Sequence, residues 1–410
     1  MPKIHFHSDC EFFSGSENML ANLFSHRVLR EEFDVSFSYR ATTRYEAGLR
    51  QRVELDFPCR SLALPNFDEL PLPHGLAGWR PLSMLVRSLA YAPLLAIEVK
   101  RLRAVLREFR PDLVHINNGG YPGALSCRAM ALAARAEGVS RVLMVVNNLA
   151  VPYDRPSRWL DWPFDRRVAA CVDRFVTGSA VAGRRLAEVL KLPQERCRAI
   201  HNGIRMREPR ALVEKTRQRL GLSGFGGLVL GMVALHEPRK GHRVLLEAIE
   251  RLHAQDRGAS KIKVLIEGDG PLHAELAADI VARQLSASVQ LIGVEAHVFD
   301  FMAAIDALVL PSVRDEDFPN VIIEAMSLGK PVIASCLAGI PEQIEDGVSG
   351  LLVPAGDAAQ LAAAIHKLAA EPEMRQVMGE SARVRFHQHF SCEIAMGNYL
   401  RLYRELLNLN

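Results

Sequence analysis

The sequence predicts an α/β protein of two domains, each a parallel sheet with helices on both faces. Short apolar runs alternate with helix-spaced segments through the front half of the chain. That rhythm stops in a polar, charged run over 205–217 that contains Pro209, and a second strand–helix series begins at Gly227. At 410 residues and 49% hydrophobic content the chain can bury two cores. The domains are therefore expected at 1–205 and 206–390, followed by a closing helix within 391–410.

Residues 3–7 read as the first strand, on which His5 and His7 share one face and are explained by core packing. Ser14 to Glu17 read as a turn, and 18–30 has helical spacing. Small residues directly after a first strand let the backbone approach a ligand, which makes Gly15 a candidate, although a plain turn uses the same residue. Residues 112–117 form a buried strand with polar residues at its end. Asn117, Asn118, Gly119 and Gly120 then make a flexible loop before a helix over 122–137. The run 142–148, ending at Asn147 and Asn148, repeats the pattern, as does 173–179 before a helix over 180–190. In a parallel sheet such polar strand ends converge on one crevice.

The back half opens with a strand over 227–235 and a helix over 242–254. Arg239 and Lys240 lie between them, at a strand's carboxyl end and a helix N-terminus, two placements that each favour a phosphate. A solvated basic turn has the same composition. Residues 263–270 run from a strand into a glycine turn holding Gly268 and Asp269, a helix follows from Pro271, and 289–293 is the next strand. Tight turns surround a last strand within 339–354.

The stretch 314–335 organises the rest. It follows a short apolar run over 307–312 that reads as a buried parallel strand, so its acidic loop sits where open α/β sheets bind ligands. Pro319 carries a helical φ and no N–H, which starts a helix there and leaves the amides of Asn320 and Val321 for an anion. Glu324, one to two turns further, offers two oxygens to a vicinal diol such as a ribose. Glu316, on the loop with seven residues between it and Glu324, faces a polar group beyond the phosphates. A merely solvated acidic loop shows the same spacing.

Composition excludes several classes. The seven cysteines, at 10, 59, 127, 171, 197, 336 and 392, are scattered and never form Cys-x-x-Cys, against a disulfide framework and a structural zinc site. A net charge of +3 implies no nucleic-acid partner. Residues 1–205 carry 29 Lys and Arg against 21 Asp and Glu, whereas the remainder carries 21 against 26, so the front half is basic and the back half acidic. The start lacks a signal-peptide pattern and no stretch of about twenty apolar residues could span a bilayer, so a cytoplasmic location is expected. Residues 79–110 mix apolar side chains with Arg80, Arg87, Lys100, Arg101, Arg103, Arg107 and Arg110. Such a segment is either a solvated helix or a basic face resting on anionic lipid, peripheral at the inner membrane face.

Jointly, the back-half motifs resemble the donor domain of retaining glycosyltransferases of the GT-B fold, glycosyltransferase family 4. Four signatures occur in order: 238–241, Pro-Arg-Lys-Gly; 266–271, Ile-Glu-Gly-Asp-Gly-Pro; Glu316 and Glu324 followed by Ala-Met-Ser-Leu-Gly-Lys-Pro-Val-Ile-Ala; and the glycine-rich 339–354. The front half is similar more loosely, at Gly15 to Glu17, at 111–115 and at 201–204. The resemblance implies two Rossmann-like βαβ domains facing a central cleft, the first for the acceptor and the second for the donor, with the closing helix crossing back onto the first. It implies a retaining, metal-independent, hexosyltransferase-type transfer from a nucleotide-diphosphate sugar to an acceptor hydroxyl. The acceptor would be a sugar or lipid-linked compound in polysaccharide, lipopolysaccharide or glycolipid assembly. The nucleotide sugar is a co-substrate, and no cofactor is implied.

The similarity also implies roles. Lys240, with Arg239, would neutralise the departing diphosphate; Glu324 would hold the ribose diol; Glu316 would orient hydroxyls of the transferred sugar. The backbone of Phe318, Pro319, Asn320 and Val321 would cradle the phosphates, and that near Gly293 and Val294 would face the base. Gly15, Gly268 and Asp269 complete the donor set. Lys240, Glu316 and Asn117 form the candidate catalytic group, and His115, Asn117, Asn118 and Asn148 the acceptor side. The acceptor would attack the face the diphosphate leaves, so configuration is kept, while amides and Lys240 hold the developing charge. Two departures stand out. Ala234 and Leu235 occupy the positions of an arginine usual before the lysine, leaving Arg239 to substitute. A histidine often found near the sugar is replaced by Asn117, with His115 on the same strand face. Asp315, Glu316 and Asp317 resemble metal-binding carboxylates of the other glycosyltransferase fold, but with Glu316 assigned to the sugar no metal is expected. Two alternatives remain: a nucleotide-sugar epimerase of the same fold, and a catalytically degenerate nucleotide-sugar-binding module.

Overall fold

Seven strands pair into one parallel sheet in the computed structural model, which describes residues 1–13, 15–64, 80–255 and 261–409. They are β1 (Lys3–Ser8), β2 (Asp34–Arg40), β3 (Cys59–Leu62), β4 (Leu113–Asn118), β5 (Arg141–Val146), β6 (Arg174–Thr177) and β7 (Cys197–Ala199). Their order is β3-β2-β1-β4-β5-β6-β7. Every residue of β4 is buried, as a strand covered by helices on both faces requires. The order reverses between β1 and β4, whose paired ends bring Ser8 opposite Asn117. The turn expected around Ser14 falls partly outside the described residues. Beyond it a helix already begins at Gly15 (Gly15–Phe24), which puts Glu17 in its first turn. In the basic segment, Trp79 and the side chains of Arg80 and Arg87 also fall outside the described residues, and the backbone there is a helix, Arg80–Phe109. Among the described residues no helix is long and apolar enough to cross a membrane.

Six further strands form a second parallel sheet: β8 (Leu228–Val233), β9 (Ile262–Glu267), β10 (Val289–Gly293), β11 (Ala307–Leu310), β12 (Val332–Ser335) and β13 (Gly350–Val353). The order is β10-β9-β8-β11-β12-β13, with its reversal between β8 and β11. Successive side chains of each strand enter opposite cores. Leu228, Leu230 and Met232 join Val264, Ile266, Val309 and Ile333 on one face. Val229, Leu265, Leu308, Leu310 and Val332 pack on the other, with Ile322, Ile323 and Met326.

By backbone contacts the chain divides into 1–201 with 396–410, and 202–395. Those divisions lie beside the expected 205/206 and 390/391. The segments at the two divisions run alongside each other within the second unit: the Ile204 amide donates to Phe390 O (3.1 Å) and the Cys392 amide to Ile204 O (3.0 Å). Gly203 is required there, because a Cβ would lie 2.4 Å from Ser391 O.

The last helix, Cys392–Leu407, belongs to the first unit from Met396 onward. Tyr399, Leu402 and Tyr403 are buried. Tyr403 Oη hydrogen-bonds His115 Nδ1 at 2.7 Å, and Phe6 and Tyr399 close around the same imidazole. His115 is therefore a core residue, and the acceptor-side role expected for it is corrected: burial takes its pKa down to about 3, so the ring is neutral and enclosed. His5 and His7 are core residues as expected, bonded to Ser36, Ser38 and Ser126. Tyr403→Phe leaves His115 Nδ1 buried without a partner and is expected to destabilise the first unit by about 1–3 kcal/mol, read from its urea midpoint. An unchanged midpoint would show that the bond is not made in solution.

Candidate functional site

The strand-order reversal between β8 and β11 is where a parallel sheet opens a crevice at its carboxyl end. The loops leaving those strands touch through their backbones. Gly241 lies at φ 76°, and a Cβ there would sit 1.8 Å from Pro311 O, so only glycine fits. The Val313 amide donates to Arg239 O (2.8 Å), locking the short helical turn Pro238–Lys240 against the second loop.

This contact pairs the two sequence-predicted charges. Lys240 Nζ lies 2.5 Å from Glu316 Oε2, and Ser312 Oγ donates to the same oxygen at 3.0 Å. Both side chains are nearly enclosed, Lys240 at 12% and Glu316 at 10% exposure. Arg239 stands close by, with Nη1 3.9 Å from Glu316 Oε2. Its Nε donates to Glu237 (2.7 Å) and its Nη1 to Asp315 O (3.2 Å). Asp315 takes a left-handed backbone, φ 52°, a conformation costly for a non-glycine residue, and its carboxylate pairs with Arg314 at 2.9 Å. The carboxylates of Asp315 and Glu316 are thus turned to different partners.

The helix expected to start at Pro319 starts one residue later, at Asn320 (Asn320–Ser327). Pro319 is its N-cap because ψ is 122°, outside the helical well, and its own side chain makes no capping hydrogen bond. Two side chains brace this entry: Gln343 Nε2 donates to Pro319 O (3.1 Å), and Asn202 Nδ2 to Asn320 Oδ1 (2.9 Å). Phe318 is buried and packs edge-on against Phe390.

Glu324, on that helix, is half-buried, and no hydrogen bond to its carboxylate is made among the described residues. Burial pushes its pKa up to about 7; the nearby Glu267 acts in the same direction and Arg207 against it. Glu267, itself buried, accepts the Glu295 amide at 2.9 Å. Next to it, Gly293 adopts φ 74° and Val294 is 72% exposed.

Gly268 and Asp269 act through the backbone. Gly268 (φ 133°) has no room for a Cβ beside Ala234 O, and the His236 amide donates to Asp269 O at 2.9 Å, so this turn supports the loop after β8. The Asp269 carboxylate is turned onto the Gly270 amide, 2.7 Å away, instead of toward Lys240 or Glu324.

In the first unit, the ends of β1 and β4 carry a buried polar cluster. Glu17 accepts from Ser8 Oγ (2.9 Å), Tyr45 Oη (2.8 Å) and Asn117 Nδ2 (3.0 Å). Burial raises its carboxyl pKa against those donors. Asn147 Nδ2 donates to Asn117 Oδ1 (2.8 Å), so Asn117 is 5% exposed and bonded at both ends of its amide. Asn118 closes its own loop, accepting from the Ala124 amide and donating to Pro122 O, both at 3.2 Å. Asn148 accepts the Leu149 amide at 2.8 Å, and Gly15 is the exposed first residue of its helix. Sequence reading did not place Glu17, Asn147, Ser312 or Gln343 in a site. Glu17 ends the predicted turn, two residues from Gly15, but nothing local says that it is buried.

Known proteins resemble this chain in sequence and in fold. The model of a glycosyl transferase 4-like domain matches residues 18–203, and that of glycosyl transferases group 1 matches 227–371. A D-inositol 3-phosphate glycosyltransferase of Saccharomonospora viridis is 30% identical over 257 residues, 59% of this chain and 58% of that protein. The N-acetyl-alpha-D-glucosaminyl L-malate synthase of Bacillus anthracis is 31% identical over 145 residues, 35% of this chain and 38% of that one. The chain thus spans little more than half the length of the first relative and less of the second. In fold it is similar to HepE of Anabaena in complex with UDP, with a TM-score of 0.75 over 98% of this chain and 100% of that one at 19% identity. Together with two parallel sheets of seven and six strands, these matches show that the chain belongs to the family-4-type glycosyltransferases of the GT-B fold.

Proposed function

We propose that the chain moves a sugar, with retention of configuration, from a nucleotide-diphosphate sugar to an acceptor hydroxyl, and that no metal takes part in diphosphate departure. The observation that carries this reading is the Lys240–Glu316 pair at the reversal between β8 and β11, with the half-buried Glu324 on the helix that follows the loop of Glu316. Without a donor, Lys240 is neutralised by Glu316. A diphosphate placed before the entry of the helix Asn320–Ser327 competes for Lys240, supported by Arg239 and the amides at that helix start. Glu316 is then released to accept hydroxyls of the sugar. Glu324 accepts the ribose diol. The leaving oxygens help to take the acceptor's proton while Lys240 holds the charge that develops. The binding of UDP by HepE supports a nucleotide-sugar donor. The relatives' names, with D-inositol 3-phosphate and L-malate as substrates, support a small anionic acceptor, and the basic front half suits one. A sugar or lipid-linked acceptor in polysaccharide, lipopolysaccharide or glycolipid assembly offers the same attacking hydroxyl.

The test is calorimetric titration with UDP-, GDP-, ADP- and dTDP-sugars in EDTA, followed by NMR of the product. One nucleotide class should bind, and the transferred sugar should keep its anomeric configuration. Binding by none would sink the reading, and an inverted product would remove retention from it.

A further inference from the structure

A second cluster lies on the loops after β8 and β9. His236 is fully buried. Its Nδ1 is 3.2 Å from Nδ1 of His273, the first residue of the helix His273–Ala282, and the two rings are stacked at 20°. Asp269 Oδ1 is 3.7 Å from His273 Nδ1, and the three ligand atoms all lie within 4.8 Å of one another. The backbone beneath them is tied: the His236 amide donates to Asp269 O (2.9 Å) and the Leu272 amide to His236 O (3.0 Å). A second feature is a set of buried ring nitrogens: among the described residues His236 Nε2 has no hydrogen-bond partner, and His242, buried and packed edge-on against His236, has none at either nitrogen.

We propose that His236, His273 and Asp269 bind one divalent transition-metal ion, zinc in preference. Zinc takes nitrogen at about 2.0–2.1 Å in tetrahedral sites, which places neighbouring ligand atoms roughly 3.3 Å apart. The two imidazole nitrogens already stand at that separation, and the exposed Asp269 side chain closes the third position by a small rotation. Two imidazoles and one carboxylate suit zinc, cobalt or nickel and disfavour magnesium. Water takes the fourth position on the solvent side. The ion cross-links the loop that carries Arg239 and Lys240 to the glycine turn after β9, and it stands apart from the diphosphate chemistry.

The experiment titrates the EDTA-stripped full-length protein with zinc alone, and with Co²⁺ followed by visible absorption. One ion per chain is expected, with tetrahedral cobalt bands and a higher melting temperature. Asp269→Asn, at an exposed side chain, should keep the melting temperature measured in EDTA, whereas His273→Ala also removes the hydrogen-bond partner of the buried His236 Nδ1 and should lower it by a few degrees, so the binding constant is its readout. His273→Ala should weaken zinc binding at least 30-fold, and Asp269→Asn should weaken it to a smaller degree. The surface variant His387→Ala should bind as wild type does. No uptake by the wild type, or equal affinity in His273→Ala, overturns the proposal. Because the probe is the metal alone, failure here leaves the transferase reading intact, and failure of donor binding leaves this site intact.

Discussion

Lys240→Ala is expected to lower kcat by roughly 10²–10³-fold, the usual effect of deleting a donor that meets charge developing in the transition state. The side chain is nearly enclosed and pairs with Glu316, 2.5 Å away. Removing it leaves Glu316 with Ser312 Oγ at 3.0 Å and with Arg239 close enough to swing in. Folding should survive, since one hydrogen bond to Glu316 is kept and the residual carboxylate can be compensated. Lys240→Arg keeps the charge but presents a planar fork where an ammonium fits, and should recover part of the rate. A double-mutant cycle with Glu316→Gln separates two roles for the lysine. If Lys240 acts on the diphosphate, the double variant is slower than Glu316→Gln alone. If it only positions Glu316, the two are equal. A Lys240→Ala enzyme with kcat within threefold of wild type would remove the lysine from the mechanism.

Glu324→Gln is expected to weaken donor binding by more than tenfold at pH 8, about the loss of one charge-assisted hydrogen bond, while stabilising the second unit. Burial has raised the Glu324 carboxyl from its ordinary value near 4.5 to about 7. A folded-state pKa above the unfolded one gives stability that is full below pH 4.5 and is lost as pH rises through about 7. The wild type should therefore lose melting temperature between pH 5 and pH 8, and Glu324→Gln should lose less. The loss of function follows from the same group. An ionised Glu324 accepts both hydroxyls of a vicinal diol, so bound donor favours the carboxylate and lowers its pKa. Donor binding should release protons below about pH 7, read from calorimetry in buffers of different ionisation enthalpy, and the variant should release none. Equal donor affinity in both proteins with no pH dependence would remove Glu324 from the donor site.

The two-sheet α/β architecture was legible along the chain because a parallel strand buried on both faces must be a short, nearly continuous apolar run. The runs at 112–117, 228–233 and 307–310 carry that signal without reference to any partner. The candidate charges were legible for a similar reason, since Arg239, Lys240, Glu316 and Glu324 each lie just beyond such a run. Tertiary structure alone decided which of them meet. Lys240 finds Glu316 because the sheet reverses its order between β8 and β11, and Gly241 lets the two loops touch. It also decided that His115 is core, since the side chain that covers it, Tyr403, arrives from the last helix of the chain. Glu17 and Asn117 were drawn together by strand pairing across most of the first unit, as His236 and His273 were by adjacent strand ends. Burial periodicity is a local property that each segment displays on its own, whereas side-chain partnership depends on strand order and chain crossings, which no single segment records.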